Sequence, residues 1–371
     1  MAYLMDLSTE GGEEPVEMKV TDLQSTATAH NNVSATNSVE APKKSEKRPN
    51  VSHDEWPTLT LSNQEEQLYD RQIRLWGIEV QQRLMGARVL FIGMNGIQEE
   101  GIKNLILAGM GVTLASSRQV TEEDVGCSFF LRHADIGSNH AEALVHRMRD
   151  MVLNKERIKF TQSPVVKASA LDGSEYYDID DAVLANYDVI SLTDETFPIT
   201  KLVNLNKKCR DKGIAFIVSA ASGTQGLIFQ DLNTHTVLEK ISKQPGTVTI
   251  EYRSLSTVLS EPQFPRRCDA IVRKNVAYLL MRKAHPETIG DPNCAETFGE
   301  DLKGICTKCG TSVEEVKSLF KSQGKPFAVT SGVLGGYLAL AIRNFVTKQY
   351  ETFPNFCVFD MNKSTVTTAM I

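Results

Sequence analysis

The chain lacks most of what marks secreted, membrane and nucleic-acid-binding proteins. Its seven cysteines in 371 residues are an odd, irregularly spaced set; that excludes a disulfide framework and fits a reducing compartment. No apolar run is expected to approach the ~20 residues that cross a bilayer, so no membrane partner is expected. The stretch 1–14 has neither the basic nor the apolar region of a secretory signal. A basic excess is missing too: Lys+Arg total 40 against 46 Asp+Glu, a net charge of −6. That excludes nucleic-acid binding through bulk charge. The acidity is local, because residues 1–60 hold ten acidic and five basic side chains.

What is present supports a core: 41% of the residues are hydrophobic. Residues 1–60 are expected to be a disordered acidic tail, rich in Ser, Thr, Asn and Glu, with Tyr3 and Trp56 as its aromatics. Lys43, Lys44, Lys47 and Arg48 in it read as a solvated linker or as part of a nuclear import element. Order is expected from Ser62, where Ser62-Asn63-Gln64-Glu65 fits a capping box. Tyr69, Ile73, Trp76 and Val80 follow at helical spacing, with Arg71 and Arg74 on another side and Gly77 as an interruption.

From Arg88 onward, strands and helices alternate. Strands are expected over 89–92, 112–115, 158–166, 188–192 and 214–220, and helices after Gly96 and over 141–153 and 199–212. That order predicts an α/β protein with a wound, mostly parallel, Rossmann-like sheet. Runs 225–232 and 235–239 read as an antiparallel addition. Residues 242–328 read as an inserted smaller domain with helices near 275–282 and 312–321 and a turn-rich stretch over 286–310. A helix over 331–346 and strands over 355–360 and 365–371 close the chain. The expected units are thus 1–60, 61–241, 242–328 and 329–371.

The turn after the first strand is Gly93-Met94-Asn95-Gly96-Ile97-Gln98. In a phosphate-binding turn, closely spaced glycines let the backbone approach the pyrophosphate at a helix N-terminus. Here Gln98 stands where a final glycine is often found, so the residues fit a plain strand–turn–helix as well as a nucleotide turn. The second strand ends Leu114-Ala115-Ser116-Ser117, without the acid that holds a ribose; an NAD-dependent dehydrogenase is therefore excluded. By periodicity alone, Arg71 and Arg74 solvate a helix face. Cys306 and Cys309 make a single C-x-x-C, whereas structural zinc needs four ligands at defined spacing. A reduced, metal-free pair is expected, and no metal ligands are assigned. Cys268 follows Arg266 and Arg267, and so is the thiol to test for activation, although a structural role is favoured.

The string Tyr69-Asp70-Arg71-Gln72-Ile73-Arg74-Leu75-Trp76-Gly77 is specific. Together with Arg83-Leu84, the Gly93 turn, Lys103-Asn104-Leu105, Leu107-Ala108-Gly109, Phe129-Phe130-Leu131-Arg132, Ala141-Glu142-Ala143, Gly332-Val333-Leu334-Gly335-Gly336 and Phe359-Asp360, it resembles the ThiF/MoeB-like adenylation fold of ubiquitin-like-protein activating enzymes. The likeness covers residues 62–240 and 329–371, and is greatest to the smaller, regulatory type of subunit found in heterodimeric members that act on a SUMO-like modifier. It implies that Ser116 replaces a ribose-binding Asp, Cys127 a phosphate-contacting Arg and His140 a phosphate-contacting Lys, while Asp194 keeps the acid used near magnesium. It therefore implies a degenerate nucleotide site in this chain, with Gly93, Gly96 and Asp194 its remaining cofactor-side positions. ATP and Mg²⁺ would be bound mainly by a larger partner subunit carrying the thioester cysteine. Arg71 would reach the partner's ATP phosphates as an arginine finger, with Arg74 as a helper. The resemblance also implies placement in the nucleus and cytoplasm, and makes 242–328 a reduced counterpart of a cysteine half-domain. A subunit for another modifier, a self-sufficient homodimeric adenylase and a non-enzymatic scaffold remain as alternatives.

Overall fold

Strands that are apolar on both faces need helices on both sides, and the central strands here are of that kind. The computed structural model describes residues 59–161, 166–168, 175–177, 179–193, 197–239, 246–286, 291–348 and 354–371. The expected tail lies outside these residues up to position 58, and so does Asp194.

Three short helices come first: α1 (Asn63–Leu68), α2 (Asp70–Trp76) and α3 (Ile78–Gly86). Ser62 and Glu65 form the expected capping box, and Gly77, at φ +91°, separates α2 from α3. Then follow β1 (Arg88–Ile92), α4 (Gly96–Leu107), β2 (Gly111–Ala115), α5 (Glu122–Cys127), α6 (His140–Met148), β3 (Ile158–Phe160), β4 (Val166–Ala168), β5 (Glu175–Tyr177), α7 (Asp181–Leu184), β6 (Val189–Thr193), α8 (Ile199–Asp211), β7 (Ala215–Ser222) and β8 (Gln225–Asp231). The remainder is β9 (Thr234–Glu239), β10 (Gly246–Glu251), α9 (Leu255–Ser260), α10 (Ala270–Ala284), α11 (Cys294–Thr297), α12 (Gly299–Cys309), α13 (Val313–Lys321), α14 (Ala328–Thr347), β11 (Phe356–Asp360) and β12 (Thr365–Ala369).

The main sheet has the order β12-β11-β8-β7-β6-β1-β2-β3. Strands β7, β6, β1, β2 and β3 pair in parallel, and β8, β11 and β12 extend it antiparallel. This is the predicted wound, mostly parallel α/β sheet. Strand alternation divides the core into two. Leu90, Ile92, Ile190, Leu192 and Phe216 face α8 to α13. Val89, Phe91, Val189 and Ile217 face α4, α6 and α14.

Several expectations are amended. Strand β9 leaves the main sheet after Asn233, at φ +59°, and pairs with β10 instead. The stretch 286–310 contains α11 and α12, because Leu302, Cys306 and Cys309 form a helical stripe in which cysteine acts as a small hydrophobe. The helices of 242–328 share one apolar cluster with the sheet, through Val272, Val276, Leu302 and Phe320 against Phe216 and Phe229. Helix α14 is long and apolar enough to span a bilayer, contrary to the expectation that no such run exists; 61% of its apolar window is buried inside the protein, against α4 and β8.

The close crossing of α4 and α14 depends on glycine. A Cβ on Gly335 would stand 2.8 Å from the Ile97 carbonyl oxygen and 2.9 Å from the Gly101 nitrogen. Both are backbone atoms that cannot step aside. Gly335→Ala gains about 1 kcal/mol of helix propensity but is expected to lose about 1–3 kcal/mol to overpacking, a net loss read by chemical denaturation.

His235 on β9 stacks near Phe345, with ring centroids 5.1 Å apart. Burial, helped by the Lys348 charge, pushes its pKa down to about 4. Below pH 6.5 the unfolded chain therefore takes up the proton first. Stability is expected to fall by about 3 kcal/mol as pH drops from about 6.5 to 4. His235→Phe should flatten this part of the pH–stability curve.

Candidate functional site

Strand β1 lies between β2 and β6, so the chain winds outward in both directions from the β1/β6 boundary. In open α/β sheets, ligands bind in the crevice at the carboxyl ends of the strands flanking such a point. Here hydrogen bonds tie the β1 turn to the ends of β2 and β6. Gly93 turns the chain at φ +64°, and its N–H donates to the Ala115 carbonyl at 2.8 Å. Asn95 caps α4 by accepting from the Gln98 N–H at 3.0 Å, while its Nδ2 donates to Thr193 Oγ1 at 3.3 Å. The buried Gln98 amide donates to the Gly93 carbonyl, and its oxygen accepts from the N–H groups of Leu192 and Thr193, each at 3.2 Å. Gln98 and Asn95 thus bridge β1 to β6. Gly96 serves the packing of α14, since a Cβ there would lie 3.0 Å from Ser331 Cβ.

A network of ionisable groups fills the adjoining space between α4, α5 and α6. Arg118 Nη1 donates to His140 Nδ1 at 3.0 Å and to the Met94 carbonyl at 3.5 Å; Nη2 donates to Asp124 Oδ1 at 2.8 Å. An imidazole that accepts at Nδ1 must carry its proton on Nε2. That proton goes to Glu99 Oε1, 2.7 Å away. The other Glu99 oxygen accepts from Ser128 Oγ, which in turn accepts from the N–H groups of Phe130 and Leu131 at 3.1 and 3.2 Å. Burial pushes Asp124 upward, but the Arg118 charge and the Thr121 N–H and O–H outweigh it and hold the carboxyl below its usual range.

The positions singled out by resemblance fall into this network or beside it. Ser116 Oγ accepts from the Arg118 N–H at 3.1 Å, and the Ser116 carbonyl accepts from Asn139 Nδ2 at 2.6 Å. His140 is fully buried against Glu99. Cys127 Sγ donates to the Pro326 carbonyl at 3.6 Å, and burial raises its thiol pKa. The first turn of α4, where a phosphate would meet the helix dipole, already holds the Glu99 carboxylate with its own donors. Sequence reading missed Glu99, Arg118, Asp124 and Ser128. Its available signals were the Thr121-x-x-Asp124 capping pattern and the polar Gln98-Glu99 pair at the start of an otherwise apolar helix.

Arg71 lies elsewhere. Its helix packs by the C-terminal end of α4, where Gln72 Nε2 donates to the Leu107 carbonyl at 3.3 Å. Gly93 and Gly96 are at the other end of α4, ~17 Å away along the axis. Arg71 is exposed and makes no ion pair among the described residues, whereas Arg74 is tied to Asp70 at 3.0 Å. Leu75, four residues on in the same helix, is 77% exposed, and Leu68 at the end of α1 and Ile78 at the start of α3 are 56% and 43% exposed. The structure thus separates Arg71 and Arg74 from Gly93 and Gly96.

The cysteines are set for packing. Cys306 and Cys309 lie on the buried side of α12, and burial pushes the Cys309 thiol up to about 11. Burial also raises Cys268, against the opposing charge of Arg273. Among the described residues, no group of three His, Cys, Asp or Glu could hold a metal ion.

A wound, mostly parallel α/β sheet with its β1 turn at the switch point defines a protein of the Rossmann-like α/β class. More particularly, the ThiF family model matches residues 69–371, and the chain belongs to that family. It is similar to SUMO-activating enzyme subunit 1 of Bos taurus, 33% identical over 337 residues, covering 81% of this chain and 93% of that one. The Dictyostelium discoideum protein of the same name is 25% identical over 326 residues, covering 82% and 93%. The Xenopus laevis one is 36% identical over 184 residues, 49% of each chain.

Proposed function

We propose that this chain is the regulatory, non-thioester subunit of a heterodimeric SUMO-activating enzyme. In this reading a larger partner subunit binds ATP and Mg²⁺, adenylates the C-terminal glycine of a SUMO-like modifier and carries the thioester cysteine. The adenylate is a mixed anhydride, which activates the carboxylate for attack by a thiol. This chain contributes a docking face and one cation. Leu68, Leu75 and Ile78 are apolar surface to bury, and Arg71 is a permanently charged, planar donor for a partner's phosphates. Placement in the nucleus and cytoplasm belongs to the same proposal.

One contrast supports this reading above the others: Arg71 is exposed and makes no ion pair among the described residues, while Arg118, His140 and Glu99, beside the chain's own β1 turn, are spent on one another. The test is ATP:pyrophosphate exchange in the presence of the modifier. The chain alone is expected to show no exchange and no ATP binding by calorimetry, and to support exchange once the adenylating subunit is added. Exchange by the chain alone would sink the proposal.

A further inference from the structure

The helix that carries Arg71 is only half-buried: Ile73 packs against the small cluster of Leu61, Tyr69 and Met85, and Trp76 against the edge of the larger core. No residue of α2 is fully buried, so apolar burial alone does not fix how it lies. Its polar contacts converge on one turn, the end of α4 at Leu107, Ala108 and Gly109. Gln72 Nε2 donates to the Leu107 carbonyl at 3.3 Å. Gln81, on α3 and fully buried, uses both ends of its amide. Its Nε2 donates to the Ala108 carbonyl at 2.9 Å, and its Oε1 accepts from Trp76 Nε1 at 3.1 Å. Gly109 completes the seat. A Cβ there would stand 2.9 Å from Tyr69 Cζ and 3.2 Å from Gln81 Nε2, and its φ of +88° already favours glycine. The Arg343 guanidinium lies over the Trp76 ring, 5.8 Å from its centroid.

We propose that Gln81 is a positioning residue for Arg71: by linking Trp76 to the Ala108 carbonyl it sets the pose of α2, and with it the place at which the guanidinium meets a partner's phosphates. The inference rests on the reading of Arg71 as acting in trans. Its physical basis is tolerance. A reacting-site group displaced by about 1 Å can cost about 10²-fold in rate, and with Ile73 and Trp76 only partly buried, α2 has no fully buried side chain to prevent such a displacement.

The experiment uses the assembled pair and ATP:pyrophosphate exchange. Gln81→Leu keeps most of the volume and removes both hydrogen bonds; exchange is expected to slow by about 10–10²-fold. Combined with Arg71→Ala, it should add no further loss, because an absent guanidinium cannot be misplaced. A role confined to stability would instead multiply the two losses, and that result overturns the proposal. Should Gln81→Leu fail to fold, Trp76→Phe, which loses the indole N–H and some apolar bulk, carries the same test: its several-fold loss should vanish in the Arg71→Ala background. If Arg71→Ala is slow while both other variants run at the normal rate, positioning by Gln81 is wrong and the trans reading stands. If Arg71→Ala itself runs at the normal rate, the trans reading fails, and this proposal fails with it.

Discussion

Arg71→Ala in the assembled pair is expected to slow ATP:pyrophosphate exchange by about 10³-fold, the low end of what an arginine finger supplies. The chain should fold as before, because Arg71 is exposed and has no partner within it among the described residues. The loss should fall on kcat more than on the KM for ATP, since a guanidinium placed where charge develops acts chiefly in the transition state. Arg74→Ala is the internal control. Arg74 is spent on Asp70, 3.0 Å away and in solvent, so its removal should change exchange by no more than a few-fold. Arg71→Lys keeps the charge but loses the planar fork, and is expected to fall between wild type and alanine. A normal rate for Arg71→Ala would reduce this face to a docking surface.

The order of strands and helices was legible because the apolar periodicities are strong. Runs such as Val89 to Ile92 and Val189 to Leu192 are short and rich in Val and Ile, as strands buried on both faces are. Glycines were legible as punctuation but not as contacts: Gly96 and Gly335 are needed where α4 meets α14, a partner more than 200 residues away in the chain. The stretch 286–310 reads as turn-rich in sequence, whereas Leu302, Cys306 and Cys309 pack as one helix face. Arg71 could be singled out only through its surrounding string, since an exposed arginine carries no signature of its own. The network in the crevice was hidden for a different reason. Glu99, Arg118, Asp124, Ser128 and His140 come from separate segments, and only the fold brings them within hydrogen-bonding distance.

That network also yields a stability prediction. His140→Leu is expected to destabilise the chain by about 3 kcal/mol, because it leaves the Glu99 carboxylate buried with the Ser128 hydroxyl but without its imidazole donor. Leucine fills similar space, so the loss reports on charge solvation more than on a cavity. Arg118 loses one acceptor as well, but it keeps Asp124 and its side chain remains 30% exposed. The double variant Glu99→Leu with His140→Leu separates the terms. With the carboxylate gone there is no buried charge to solvate, and replacing both partners by apolar groups can be nearly neutral. More than half of the single-variant loss should therefore return. Denaturant unfolding at pH 7 with an unchanged slope is the measurement. If the double variant is as unstable as His140→Leu, or worse, the crevice depends on shape rather than on charge, and the account of Glu99 as the anion that occupies the first turn of α4 is lost.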